Sequence, residues 1–237
     1  MPPWKVCYKY DRLLVGTMGE KSLHDAIKQW YARPDDLLET KVDGYVVDIV
    51  RGDLLIEIQT GNFSALKTKL ERLTKHHNVR LVYPIPQQKW IVRVDADGET
   101  VLSRRKSPKR GRVEGLFFEL VYIPELLKNP NFSLEVLLIH SEDLLIDDGR
   151  GSWRRRGWSI HDRRLLEVVD RATFSAPSDF LALLPKTLPE QFTTRDLGAA
   201  LKLRPSNAQK MAYCLRHMGA ILVTGKRGRT LLYSLLE

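Results

Sequence analysis

The stretch Val46-Val47-Asp48-Ile49-Val50-Arg51-Gly52-Asp53-Leu54-Leu55-Ile56-Glu57-Ile58-Gln59 decides how the rest of the chain is read. Val, Ile and Leu fill most of it, as in strand pairs covered on both sides, and Gly52-Asp53 falls where a two-residue hairpin turn belongs. Such a turn needs positive φ at its first position, which glycine adopts without strain. The register then pairs Arg51 with Leu54, Val50 with Leu55, Ile49 with Ile56, and Asp48 with Glu57. Because side chains alternate, Asp48, Glu57 and Gln59 share one face, beside Val46, Val50 and Leu55. Val47, Ile49, Leu54, Ile56 and Ile58 lie opposite.

Two opposed carboxylates between apolar neighbours repel each other, and each loses hydration unless something positive intervenes. A hard divalent cation compensates most simply, since oxygen ligands from two carboxylates suit Mg²⁺. The competing reading is a pair of acids at the open end of an edge hairpin, met by Lys67 or Lys69.

Working outward, residues 18–31 read as a helix, with Leu23, Ile27, Trp30 and Tyr31 recurring at spacings of three and four. Glu20 lies near its buried stripe, in line with His24 and Ile27. Thr17-Met18-Gly19-Glu20 also fits a capping box, in which Glu20 merely bonds back to the backbone. Strands are expected at 41–50, 54–60, 79–85, 89–95 and 99–103, with a helix over 63–77 that buries Phe63, Leu66, Leu70 and Leu73. Asp97-Gly98 marks a further hairpin turn. Phe117-Phe118 and Val136 to Ile139 read as strands. Helices interspersed with strands in this order suggest an α/β or α+β layer, of which α/β with a mixed central sheet flanked by helices is the expectation.

A helix with an acid, a strand ending in Asp, a turn, a strand with Glu-x-Gln and then a helix resemble the PD-(D/E)XK nuclease superfamily, including its Holliday-junction resolvase-like branch. The resemblance covers roughly residues 17–95. It implies a restriction-endonuclease-like core in which Asp48 and Glu57 hold Mg²⁺ or Mn²⁺ and Glu20 ligates it directly or through water. Gln59 stands where that family usually carries Lys; it would position the attacking water, or Lys67 or Lys69 of the next helix would serve. The implied activity is metal-dependent hydrolysis of phosphodiester bonds in DNA, and relatives often act as dimers because two strands need two sites.

Charge points toward the same partner. The 237 residues carry 38 Lys and Arg against 29 Asp and Glu, a formal net charge of +9, which favours polyanionic ligands. Three acid-free segments concentrate it. The first holds Arg104, Arg105, Lys106, Lys109, Arg110 and Arg112. The second is Arg150 followed by Trp153, Arg154, Arg155, Arg156 and Trp158, whose indoles suit base stacking. The third is the tail after Asp196, with Lys202, Arg204, Lys210, Arg216, Lys226, Arg227 and Arg229. Clustered cations repel one another, and phosphates relieve that repulsion while releasing counterions.

In the tail, Ser178 to Leu184 reads as a short helix, Thr193 caps a second, and Pro205 opens a third that buries Ala208, Met211, Leu215 and Met218 and ends at Gly219. Ile221–Thr224 and Thr230–Leu235 then flank a basic turn. This order resembles a winged helix-turn-helix domain. It implies that Asn207, Gln209, Lys210, Tyr213 and Arg216 face a DNA groove while the hairpin cations meet phosphates. The organisation expected is a nuclease-like domain over 1–146, a basic linker over 147–159 and a winged-helix domain over 160–237.

Other chemistry is excluded by its missing motifs. Cys7 and Cys214 are the only cysteines, too few for a disulfide framework or a Cys-based zinc site. No Walker loop, nucleophile elbow or dinucleotide fingerprint is present. There is no apolar run long enough to span a bilayer and no signal-peptide core, so a cytoplasmic setting is expected. The expected partner is double-stranded or branched DNA. The rival reading is a non-catalytic DNA-binding regulator with a degenerate nuclease-like core; an RNA-binding protein that stacks bases on Trp153 and Trp158 is a third.

Overall fold

Turn chemistry divides the first half of the sheet. Asp43 and Gly44 both take positive φ, the geometry of a tight hairpin turn, so the expected strand over 41–50 breaks there. The computed structural model describes residues 20–96, 98, 100–151, 153 and 157–236. Thr17, Asp97, the Glu20 side chain and Arg154, Arg155 and Arg156 therefore lie outside the described residues. Helix α1 (Glu20–Tyr31) precedes β1 (Leu37–Val42), β2 (Tyr45–Arg51), β3 (Leu54–Ile58), α2 (Phe63–Leu73), β4 (Asn78–Val94) and β5 (Val101–Lys106). Then come α3 (Phe117–Leu120), β6 (Phe132–Asp147), β7 (Trp158–Phe174), α4 (Thr194–Leu201), α5 (Pro205–Met218) and the hairpin β8 (Ile221–Arg227) and β9 (Thr230–Leu235).

The main sheet is mixed and seven-stranded, in the order β1-β2-β3-β4-β6-β7, with β5 also on β4. The first three strands form an antiparallel meander; β4 is parallel to β3 and to β6, and β7 closes antiparallel on β6. The fold is the expected α/β class. Helix α1 covers one face through Leu23, Ile27 and Tyr31, packed with Ile49, Ile56, Ile58, Val82 and Ile139. On the other face α2 and α3 bury Phe63, Leu70, Leu73, Phe117 and Leu120 against Leu55, Leu81 and Val136. Each such side chain taken fully from water contributes roughly 1.5–3 kcal/mol.

Four expectations about elements need correction. Residues 79–85 and 89–95 are not separate strands but one bent strand, β4, with a register shift between Pro86 and Gln88. Prolines are tolerated there because Pro84 and Pro86 face the stretch of strand edge between the end of β3 and the start of β5, where no ladder N–H is needed. Phe117-Phe118 is helical rather than extended, and follows directly on the short 3₁₀ turn Val113–Leu116. The stretch 147–159 is no linker: it closes the long β6–β7 hairpin, Asp147 pairing with Trp158 and Gly151 N–H donating to Gly157 O. Its glycines and aspartates are turn residues in either case, and the strand on its far side is what distinguishes a hairpin from a boundary. Finally, the C-terminal segment has no core of its own. Phe180 is fully buried and stacks on Phe174 at 4.2 Å, and Leu197, Met211, Leu215 and Tyr233 join the same cluster as Phe63 and Leu81.

The C-terminal elements form as read. Thr193 accepts from Asp196 N–H and Asp196 bonds back, completing a capping box at α4. Pro205 opens α5 and Gly219 ends it at φ 84°.

Candidate functional site: an acidic pair where the sheet parts

The β2–β3 ladder keeps the expected register through Arg51–Leu54, Val50–Leu55 and Ile49–Ile56, and then opens. Beyond that point β2 stays with β1, pairing Val47 with Thr40 and Val46 with Lys41, while β3 stays with β4. Asp48 and Glu57 stand at this fork. Alternation fails there too: Val47 packs into the α2-side core with Val50 and Leu55, whereas Ile49 lies on the α1 side. The two acids are thus close enough to interact without being a simple cross-strand pair.

Side chains span the opening. Asp48 Oδ2 accepts the Ile58 backbone N–H at 2.8 Å, replacing a ladder bond, and lies 3.2 Å from His24 Nε2 on α1. Lys69 of α2 donates to Val46 O at 2.6 Å, and its Nζ also lies 2.6 Å from Glu57 Oε1. That second contact is a close ion pair, so one ammonium answers both the backbone carbonyl and the buried carboxylate oxygen. The lysine of the competing reading is therefore present: Lys69 of α2 compensates the pair in part, and a divalent ion is not its sole compensator.

The two carboxyls are driven in opposite directions. Burial opposes the charge on Asp48, but the hydrogen bonds from His24 and the Ile58 amide outweigh it and hold the group below the ordinary carboxylate range. The bond to Asp48 in turn raises His24 above the usual imidazole value. Glu57 is 3% exposed; burial dominates and pushes it up to about 7, against the pull of Lys69. Since folding raises this group from 4.5, its contribution to stability is fully present below pH ~4.5 and lost as pH rises through about 7. Glu57→Gln is expected to remove roughly 3 kcal/mol of that fall. Urea unfolding of both proteins at pH 5 and pH 8 measures it, and equal pH slopes would refute it.

Two further candidates fall elsewhere. Lys67 is half exposed on α2 and faces Glu71 at 3.9 Å, away from the acids; Lys69, two residues on, is the lysine that arrives. A helix advances 100° per residue, so only one of the two can face the sheet. Gln59 donates its side-chain amide to Gly61 O in the turn before α2. His24 is the participant that motif reading passed over, although its i+4 spacing from Glu20 was visible.

Among the described residues no three His, Cys, Asp or Glu side chains converge as a metal cluster. Mg²⁺, however, ordinarily takes one or two carboxylates and completes its shell with water and substrate oxygens. Asp48 and Glu57 supply two carboxylates and fit that donor set, with Lys69 and His24 as their present partners.

The first basic segment lies along the same strand edge. Since β6 occupies one edge of β4, both β3 and β5 lie on the other. Reading up that edge, Val82 O accepts Gln59 N–H, Pro86 O accepts Gly111 N–H, Lys89 O accepts Ser107 N–H, and β5 then pairs with residues 90–94. Gly111 is required, because a Cβ there would come 2.4 Å from Pro86 O. Arg105, Lys109 and Arg110 are exposed on this rail. Arg104 bonds Glu142 at 2.7 Å, and Arg104 and Lys106 lie 5.0 and 5.5 Å from the Trp90 ring centre. Arg112 donates to Leu201 O, bringing the end of α4 beside the rail.

The other basic candidates are dispersed. Trp153 is 83% exposed at the tip of the β6–β7 hairpin, while the Trp158 ring is covered by Arg93 at 4.7 Å. Helix α5 packs on α4 on one side and on α3 and the turn Pro124–Lys128 on another. Gln209, Tyr213 and Arg216 keep an exposed stripe, with Tyr213 and Arg216 against His217. Asn207 is half-buried, and Lys210 sits 4.7 Å over the Phe118 ring. Lys226, Arg227 and Arg229 are exposed on the β8–β9 hairpin, Arg227 lying 3.6 Å from Asp196.

Fold and site together define a mixed α/β protein with an acidic pair at a fork in its sheet and a basic edge above it. Residues 21–175 match the family described as Domain of unknown function (DUF8091), and the chain belongs to that family. It is also similar to an uncharacterized protein of Treponema pallidum (strain Nichols), 32% identical over 225 residues that cover 93% of this chain and 87% of that protein. No solved structure matches. Among the described residues no helix is long and apolar enough to cross a membrane.

Proposed function

We propose that this protein is a divalent-metal-dependent DNA endonuclease that hydrolyses phosphodiester bonds, with Asp48 and Glu57 as its acidic pair. The observation that carries the reading is the opening of the β2–β3 ladder at these residues, which leaves two carboxylates together beside one ammonium. Supporting it, the order α1, meander, α2 agrees with the resemblance to PD-(D/E)XK nucleases, and the basic rail runs upward from the fork. Bound by Asp48 and Glu57, Mg²⁺ or Mn²⁺ would lower the pKa of a coordinated water and neutralise charge on the phosphate.

The chain's own groups do the rest. His24 and the Ile58 amide fix the direction of Asp48. Lys69 holds Glu57 and is the cation nearest the pair, so it takes the charge-stabilising part that the family gives to its lysine. Arg105, Lys109 and Arg110 hold the DNA backbone, and the C-terminal unit, similar to a winged helix, adds Gln209, Tyr213, Arg216 and the hairpin cations Lys226, Arg227 and Arg229. Supercoiled plasmid incubated with Mg²⁺ or Mn²⁺ is expected to be nicked, and EDTA to stop it. The Lys69–Glu57 pair favours one alternative, a non-catalytic DNA-binding regulator, since it partly neutralises the acids without metal. That alternative predicts plasmid retained in gel shifts but never nicked with either ion.

A further inference from the structure

We infer that duplex DNA lies lengthwise along the β5 side of β4, so that it is gripped over about half a helical turn, on one side of the acidic pair only. The inference rests on the DNA reading above and adds a direction and a length to it. Glu57 is level with Leu81, the basic loop with Pro86 to Lys89, and Arg105 with Ile91. At about 3.3 Å per strand residue, the rail extends from roughly 15 Å to roughly 33 Å above the carboxylates, a length of about 18 Å. A turn of duplex is about 34–36 Å.

Strand β5 is exposed throughout and pairs only with β4, so its outer edge offers backbone N–H groups beside its arginines. Cations on an edge strand can serve merely to discourage pairing with another chain. Here the loop that follows, which is not a strand, carries Lys109 and Arg110 in the same line, whereas Arg112 is held by Glu114 and Leu201 O. Below the fork the arrangement differs. At that end the cavity of about 360 Å³ holds Arg51 and Arg80, and both are already engaged, by Asp36 and by Glu135.

The test is the triple variant Arg105→Gln, Lys109→Gln, Arg110→Gln in the full chain, with circular dichroism to verify its fold. Anisotropy of a labelled 30-base-pair duplex is expected to show at least ten-fold weaker binding, and the log–log salt slope to fall by about 2.7, three phosphate contacts at about 0.9 each. In hydroxyl-radical footprints the protected tract should shorten by about five base pairs at one end, at about 3.4 Å per base pair. Unchanged affinity and slope, or shortening at both ends, would overturn the inference. Plasmid left intact by wild-type protein, with the one-sided footprint present, would remove the nuclease reading and uphold the rail.

Discussion

Lys69→Met is expected to cost about 3 kcal/mol of folding stability at pH 8.5 and only about 1 kcal/mol at pH 5.5. Both partners of the pair are buried, the Lys69 side chain 15% and that of Glu57 5% exposed. Above pH 7 the substitution forces Glu57, ionised beside Lys69 in wild type, either to keep its charge in a dry site with no opposite charge or to take up a proton from a proton-poor solution, and both are costly. Below its elevated pKa of about 7, Glu57 takes up a proton in wild type and variant alike. What then remains is mainly the lost bond to Val46 O across the open ladder. Urea denaturation at the two pH values measures the difference. A cost that is the same at both would show that Lys69 acts through packing and not through charge. Lys67→Met, on the exposed side of α2, should change stability by less than about 0.5 kcal/mol.

Removing the charge of Asp48 should have the largest effect on activity. Asp48→Ala and Asp48→Asn are both expected to lower metal-dependent nicking on the order of 10³-fold or more, with DNA binding retained. The two differ in stability. Alanine leaves the Ile58 N–H without its acceptor at the fork and costs about 1–3 kcal/mol, whereas the asparagine oxygen still accepts that bond and costs less than about 1 kcal/mol. Nicking rates on supercoiled plasmid together with melting curves separate the roles. Undiminished nicking by Asp48→Asn would end the nuclease reading whatever its stability.

Local signals carried much of this architecture. Hydrophobic periodicity marked α1, α2 and α5; Gly52 set the β2–β3 turn; and the register through Ile49–Ile56 followed from side-chain alternation and turn length. The Asp43-Gly44 turn was equally visible and was passed over inside an apolar run. The joining of residues 78–94 into one strand was not legible, because Pro84 and Pro86 normally end strands and are admitted here only by a gap on the neighbouring edge. The β6–β7 hairpin was hidden for a related reason: a turn-rich stretch between two strands looks the same as one between two domains.

By itself the sequence determined an α/β chain with a mixed sheet, the adjacency of Asp48 and Glu57, and three concentrations of positive charge. These depend on residue types a few positions apart, where turn geometry and the two-residue strand period are enough. The tertiary structure alone decided that the ladder opens at the acids, that Lys69 rather than Lys67 meets Glu57, that His24 holds Asp48, and that the rail continues the line of β3. Those are contacts between residues far apart in the chain. Their geometry follows from how α1, α2 and β5 pack on one sheet, which no local pattern encodes.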